Sequence, residues 1–446
     1  MSDENPRQIA LRVLRQRQNG DEFTENILES VLACTRLSAA DRGLCQELVY
    51  GIVRWQATLD WLVALKTSGR EQRPALQNLL RLGLYQIFWL DRIPPHAAVH
   101  ETVEIAKRAG YGAQAGFINA VLRGFLREAE VTRALLAELK TNQPALGFSQ
   151  PEWLVGRWRK QFGDEKTFQL LEWNNAPPKT FARVNPLKFG KERPATPVTL
   201  DEAAALLLPR WREENVEYDF FTRDWTGQNL VFELKSHPPL ASLPSFRDGW
   251  FYIQDPSTLF AVARLDAQPG ESILDLCAAP GGKTTFIAQQ MRDQGRILAL
   301  DISGERLKLV EENARRLGIS CIQIETLSHL ESRPASAKFD RILVDAPCSN
   351  TGVLRRRVDL RWRISADEIS RLRKTQLELL GFAAPRLKSG GVLIYSTCSL
   401  EPEENSLVIK EFLATHLNFK LDSARELSPF ADQVDGAFVA RLEKTD

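Results

Sequence analysis

The apolar segment Ser272–Leu276 runs into the turn Cys277-Ala278-Ala279-Pro280-Gly281-Gly282, and a helix-patterned stretch starts at Lys283. A glycine turn between a strand and a helix is the unit from which ligand-binding α/β sheets are built. The pattern then repeats, with a strand at Arg296–Leu300, a helix at Gly304–Leu317, a strand at Phe339–Val344 and another apolar run at Val392–Tyr395. This alternation predicts βαβ units and a parallel, doubly wound sheet. Such sheets hold their ligands beyond the carboxyl ends of the strands. Two cysteines fall on that edge, Cys348 in Asp345-Ala346-Pro347-Cys348 and Cys398 in Ser396-Thr397-Cys398-Ser399.

Three ligands compete for the glycine turn. A phosphate loop for nucleoside triphosphates requires glycine five places before Gly282, where Cys277 stands. A dinucleotide site requires GxGxxG, which Pro280-Gly281-Gly282 does not offer. S-adenosylmethionine uses the same fold with a looser loop and fits best. The cofactor set is then Cys277, Ala278, Ala279, Pro280, Gly281, Gly282 and Lys283, with Asp301, at the end of the next strand, gripping ribose hydroxyls.

At 446 residues the chain exceeds one ordinary domain. Hydrophobic residues at 43% and charged residues at 26% exclude a disordered chain. No apolar run reaches the ~20 residues that span a bilayer, and the polar start at Asn5 and before is not a signal peptide. A cytoplasmic, non-membrane protein is expected. Six scattered cysteines without a CxxC pair argue against disulfides and zinc, and five histidines show no ligand spacing, so no metal is expected. Cys34, Cys45 and Cys321 read as inert packing. The fold class is multidomain: an all-α N-terminal domain over 1–142, a small α+β connector over 143–246 rich in proline, and a C-terminal α/β Rossmann-like domain over 247–446. Between Thr351 and Lys374 lie eight basic residues against three acids. Coming directly after Cys348, they read as a rim for nucleic-acid phosphates rather than a solvated helix face.

Asp275 to Thr285, Asp345-Ala346-Pro347-Cys348-Ser349, Ser396-Thr397-Cys398-Ser399 and Pro402-Glu403-Glu404-Asn405 together resemble the RNA cytosine-C5 methyltransferases. Leu82-Gly83-Leu84-Tyr85-Gln86, Ile93-Pro94-Pro95-His96 and Phe117 to Arg123 resemble the NusB-type RNA-binding domain. The pairing is similar to the bacterial enzymes of 16S ribosomal RNA, which implies small-subunit ribosomal RNA as the partner, with transfer RNA and large-subunit RNA left open, and S-adenosyl-L-methionine as the cofactor; a monomer is expected. In that chemistry a thiolate adds to carbon 6 of cytosine and a second group removes the carbon 5 proton. The chemistry alone leaves open which cysteine does which. The resemblance implies Cys398 as nucleophile and Cys348 as the releasing residue, whereas DNA methyltransferases use the Pro-Cys residue. Asp345 is suited to hydrogen-bond the base and also borders the cofactor. Where the family places an aspartate after Leu317-Gly318, this chain has Glu325-Thr326-Leu327-Ser328, leaving Glu325 or a backbone amide for the adenine side. Arg183-Val184-Asn185-Pro186 matches a family segment near RNA, and reads equally well as a strand-ending turn. A nicotinamide oxidoreductase, which has no use for paired cysteines, and a non-catalytic RNA-binding factor are the rival classes.

Overall fold

The computed structural model describes residues 5–190, 198–328 and 338–445. The chain forms two compact units that part at Ala176/Pro177, except that Leu354–Arg363 belongs to the first.

The first unit is helical throughout. Asn5 caps its opening helix, Pro6–Gln18, and Ser38 caps Ala39–Arg54 through the N–H of Asp41. The helix Pro74–Trp89 carries leucines on all sides and is buried along most of its length, as expected of a helix at the centre of a bundle. Tyr85 lies so close to Gly51 that a Cβ there would sit 2.0 Å from its ring, so the glycine lets these helices touch. The chain turns after Trp89 and restarts at Pro95, whose missing N–H costs nothing at a first helical position. Helices then continue through Asp164–Asn175.

Leu354–Arg363 is a strap within this unit, and it overturns the phosphate-rim reading of its arginines. Arg361 is fully buried. Its guanidinium donates to the carbonyls of Arg54 (3.1 Å) and Asn174 (3.0 Å) and to Oδ1 of Asn175 (2.8 Å). Arg355, also buried, lies 3.9 Å from the Trp173 ring centroid. Arg357 pairs with Glu25, and Arg363 donates to the carbonyls of Asp21 and Glu22. Asp359 accepts the Thr24 N–H at the start of helix Thr24–Ala33, where Phe23 offers no capping side chain. Arg355 and Arg361 are spent inside the fold, and Arg357 and Arg363 are engaged by partners at its surface. Farther along, Arg371 and Arg373 pair with Glu368 and Glu411.

The second unit holds two sheets. In the smaller, β1 (Thr180–Val184), β2 (Glu217–Phe221), β3 (Val231–Ser236) and β4 (Phe251–Ile253) pair antiparallel in the order β2-β3-β1-β4. Helix Leu200–Glu213, begun by a capping box between Thr199 and Glu202, packs Ala203, Leu207 and Trp211 into that sheet's core. The larger sheet comprises β5 (Ser272–Leu276), β6 (Arg296–Asp301), β7 (Ile322–Thr326), β8 (Phe339–Asp345), β9 (Leu387–Thr397), β10 (Phe419–Leu427) and β11 (Ala437–Lys444). Their order is β10-β11-β9-β8-β5-β6-β7. β5 to β9 are parallel, as the alternation predicts, but β11 and β10 join antiparallel, so the sheet is mixed. From β5 the chain winds outward through β6 and β7, then returns to the other flank of β5 as β8. That reversal opens a crevice at the carboxyl ends of β5 and β8.

Candidate active site

The glycine turn sits at this crevice. Past Leu276, Cys277 adopts φ +64°, the Ala279–Pro280 peptide is cis, and Gly281 adopts φ +100° before helix Gly282–Gln290 begins. A side chain at Gly281 would be strained by that φ and would meet Val310 Cα at 3.2 Å. The Ala278 N–H donates to the Leu300 carbonyl at 2.8 Å, which ties the turn to β6. Asp301, at the end of β6, is buried. Its carboxylate accepts the N–H groups of Ala279 (3.3 Å) and Ser303 (3.1 Å) and faces Arg306 at 3.6 Å. Glu325 lies one strand out on β7, in register with Leu300.

Lys283, in the first turn of the helix, pairs with Asp345 at 2.7 Å, so two residues expected at the site meet. Burial opposes the Lys283 charge, but Asp345 beside it prevails and holds the ammonium above its ordinary range. Asp345 ends β8 and Thr397 ends β9, two neighbouring parallel strands, and this registration brings their cysteine loops together. The Sγ atoms of Cys348 and Cys398 are 3.2 Å apart, and the Cys398 N–H donates to Cys348 Sγ at 3.3 Å. The hydrogen bond with Cys398, and then burial, push the Cys348 thiol well above its ordinary value. Burial also raises Cys277. Cys45 and Cys321 are buried as expected, raised to about 11 and about 12 by desolvation, whereas Cys34 is exposed.

The roles of four residues at the site escaped the sequence reading. Asp275 is a fully buried carboxyl inside β5, bonded by Thr284 at 2.6 Å and raised to about 7 by burial; a lone acid in an apolar strand was its signal. Glu404 links the two cysteine loops, accepting the N–H of Ser349 at 2.9 Å and the hydroxyl of Ser399 at 2.5 Å, with Gln376 adding a third donor at 3.1 Å. Asn350 touches Cys398. Arg183, which matched a segment near RNA, is buried against Phe286 and donates to the Gly282 carbonyl at 2.9 Å and to Thr285 Oγ1 at 3.0 Å. It braces the helix that follows the glycine turn. Asn185 donates to the carbonyls of Gly249 and Leu317, in keeping with a strand-ending turn.

Residues 262–443 match the sequence profile of the 16S rRNA methyltransferase RsmB/F family. Residues 4–127 match the NusB family, and 150–196 match the ferredoxin-like domain of RsmF/B-like methyltransferases. The probable ribosomal RNA small subunit methyltransferase B of Bacillus subtilis is 36% identical over 96% of this chain and 92% of its own length. The Shigella sonnei ribosomal RNA small subunit methyltransferase B is 37% identical over 99% of both. This chain belongs to the RsmB/F methyltransferase family. A methyltransferase homolog protein from Pyrococcus horikoshii, 30% identical, superposes with a TM-score of 0.56 over 67% of this chain and 97% of its own. Membership agrees with the expected NusB-like helical domain and Rossmann-like methyltransferase domain. Among the described residues no His, Cys, Asp or Glu cluster is arranged to hold a metal, and no helix is long and apolar enough to cross a membrane.

Proposed function

We propose that this chain transfers a methyl group from S-adenosylmethionine to carbon 5 of a cytosine in 16S ribosomal RNA, through a covalent bond between Cys398 and carbon 6. The 3.2 Å approach of the two thiols beside the Lys283–Asp345 pair carries the reading. A monomer in the cytoplasm is part of the same proposal.

The crevice fits the cofactor. The glycine turn leaves backbone uncovered at the start of a helix, where N–H groups lack intrahelical partners. Oδ1 of the buried Asp275 meets no hydrogen-bond donor among the described residues. Cys277 to Lys283 and Asp301 would hold the cofactor, and Asp345 would border both it and the base. When bound, S-adenosylmethionine supplies an electrophilic methyl group that carbon 5 takes up.

The Cys398 thiolate adds to carbon 6, and the C5–C6 π pair becomes available at carbon 5. Asp345, paired with Lys283, hydrogen-bonds the polar edge of the ring and stabilises the adduct. Cys348, whose sulfur lies 3.2 Å from that of Cys398, takes the carbon 5 proton as a thiolate and becomes a thiol. The C5–C6 double bond re-forms and the Cys398–C6 bond breaks. A stacked base hides carbon 6, so the substrate cytosine is unpaired or flipped out.

In the helical unit, a pocket of about 370 Å³ is bordered by Arg12, Arg15 and Arg108 around Tyr111 and Leu79. Cations around an aromatic ring suit RNA better than the strap, whose Arg355 and Arg361 are buried.

Bisulfite sequencing of ribosomal RNA from a strain lacking the protein tests the reading. One protected cytosine in 16S RNA is expected to become reactive and to regain protection with the wild-type chain. An unchanged 16S pattern overturns the substrate. Asp301→Ala is expected to weaken binding of S-adenosylmethionine by about 1–3 kcal/mol, the effect of leaving polar groups unpaired in a buried site. Titration calorimetry showing unchanged affinity would remove Asp301 from the cofactor site.

A further inference from the structure

Asn350 stands two residues after Cys348, with φ +58° in the left-handed region. Asparagine enters that region more readily than most side chains, because its short amide can bond locally. Here the Asn350 Nδ2 donates to the Cys348 carbonyl at 2.6 Å, and the Oδ1 accepts the Cys398 thiol at 2.9 Å. The first bond fixes the orientation of the amide: turned over, it would set oxygen against the carbonyl and lose the donor. The acceptor end therefore faces the sulfur of Cys398. That sulfur has a second neighbour, Cys348 Sγ, at 3.2 Å. Deprived of the amide, the thiol keeps that sulfur as a nearby acceptor and turns towards it.

We propose that Asn350 is a positioning residue for Cys398: anchored on the Cys348 carbonyl, its amide holds the Cys398 thiol in one rotamer, so that the two sulfurs keep separate tasks. This rests on the reading of Cys398 as nucleophile. The backbone of the cysteine loops is held independently, by Glu404 and by the Gly352 N–H, which donates to the Cys398 carbonyl at 2.9 Å. Removal of the amide therefore leaves the loops in place and frees only the sulfur.

Asn350→Gly is the discriminating variant, because glycine adopts the left-handed conformation without strain and loses only the side chain. Its kcat is expected to fall about tenfold, the equivalent of one lost hydrogen bond of about 1.4 kcal/mol, with KM for RNA and for S-adenosylmethionine within about twofold of wild type. In the full chain without substrate, iodoacetamide labelling of Cys398, resolved by peptide mass spectrometry, is expected to rise several-fold as the thiol loses its acceptor. Unchanged kcat together with unchanged labelling overturns the proposal. So does slowing by Asn350→Ala but not by Asn350→Gly, which would assign the residue to the backbone alone. Methylation retained by Cys398→Ala would defeat the nucleophile reading, while the labelling result would still judge the hydrogen bond.

Discussion

Cys398→Ala is expected to lose methyl transfer by on the order of 10⁴-fold or more, and to form no covalent protein–RNA species, because a reaction that passes through a thioether cannot begin without the sulfur. Cys348→Ala is expected to behave in the opposite way at one step. The Cys398 adduct still forms and is methylated, but the carbon 5 proton stays, so RNA accumulates on the protein and survives denaturing electrophoresis. The geometry makes the comparison clean, since each sulfur lies just past its strand end and the two loops are tied together through Ser349, Ser399 and Glu404. Incubation of each variant with 16S RNA and S-adenosylmethionine reads both outcomes. A covalent species trapped by Cys398→Ala reverses the roles and makes Cys348 the nucleophile. Full turnover by both variants overturns covalent catalysis altogether.

The legible parts of this chain were those whose pattern is local. Strand β5, the turn to Gly282 and helix Gly304–Leu317 announce themselves through apolar runs, a glycine pair and a helical apolar spacing, and the structure places them within a residue or two of expectation. Cys348 and Cys398 could be put at one sheet edge because each follows a strand. What the sequence could not give was their common register. Their approach depends on β8 and β9 being neighbours, a choice made by tertiary winding. The antiparallel addition of β10 and β11 was equally hidden, since an apolar run carries no sign of its direction. Asn350 looked like an ordinary turn residue, and its contact with Cys398 exists only once residues 48 positions apart are folded together. The basic run misled for a related reason. Charge density in a sequence marks phosphate binding only when the side chains face solvent, and burial is decided by partners far away in the chain.

Arg361 shows how far that burial goes, and its replacement is expected to have the largest effect on stability. The side chain reaches two helix ends at once, Arg54 at the close of Ala39–Arg54 and Asn174 and Asn175 at the close of Asp164–Asn175. The final carbonyls of a helix have no intrahelical partner, and a cation there also favours the helix dipole. Burial lowers the guanidinium to about 9, still high enough to keep it charged at neutral pH. Arg361→Ala therefore removes a donor group shared by several buried carbonyls and opens a cavity the size of the lost side chain. A destabilisation of the helical unit by about 3–5 kcal/mol is expected, from several buried carbonyl oxygens left unpaired at about 1–3 kcal/mol each. Because two units rarely unfold as one, hydrogen exchange is the proper measurement. Protection should fall in residues 45–54 and 164–175 of Arg361→Ala and stay at wild-type levels in β5, β6 and the glycine turn. Wild-type protection at both helix ends would mean that water replaces the guanidinium without loss, and the strap would then be a passenger on the helical unit rather than one of its fastenings.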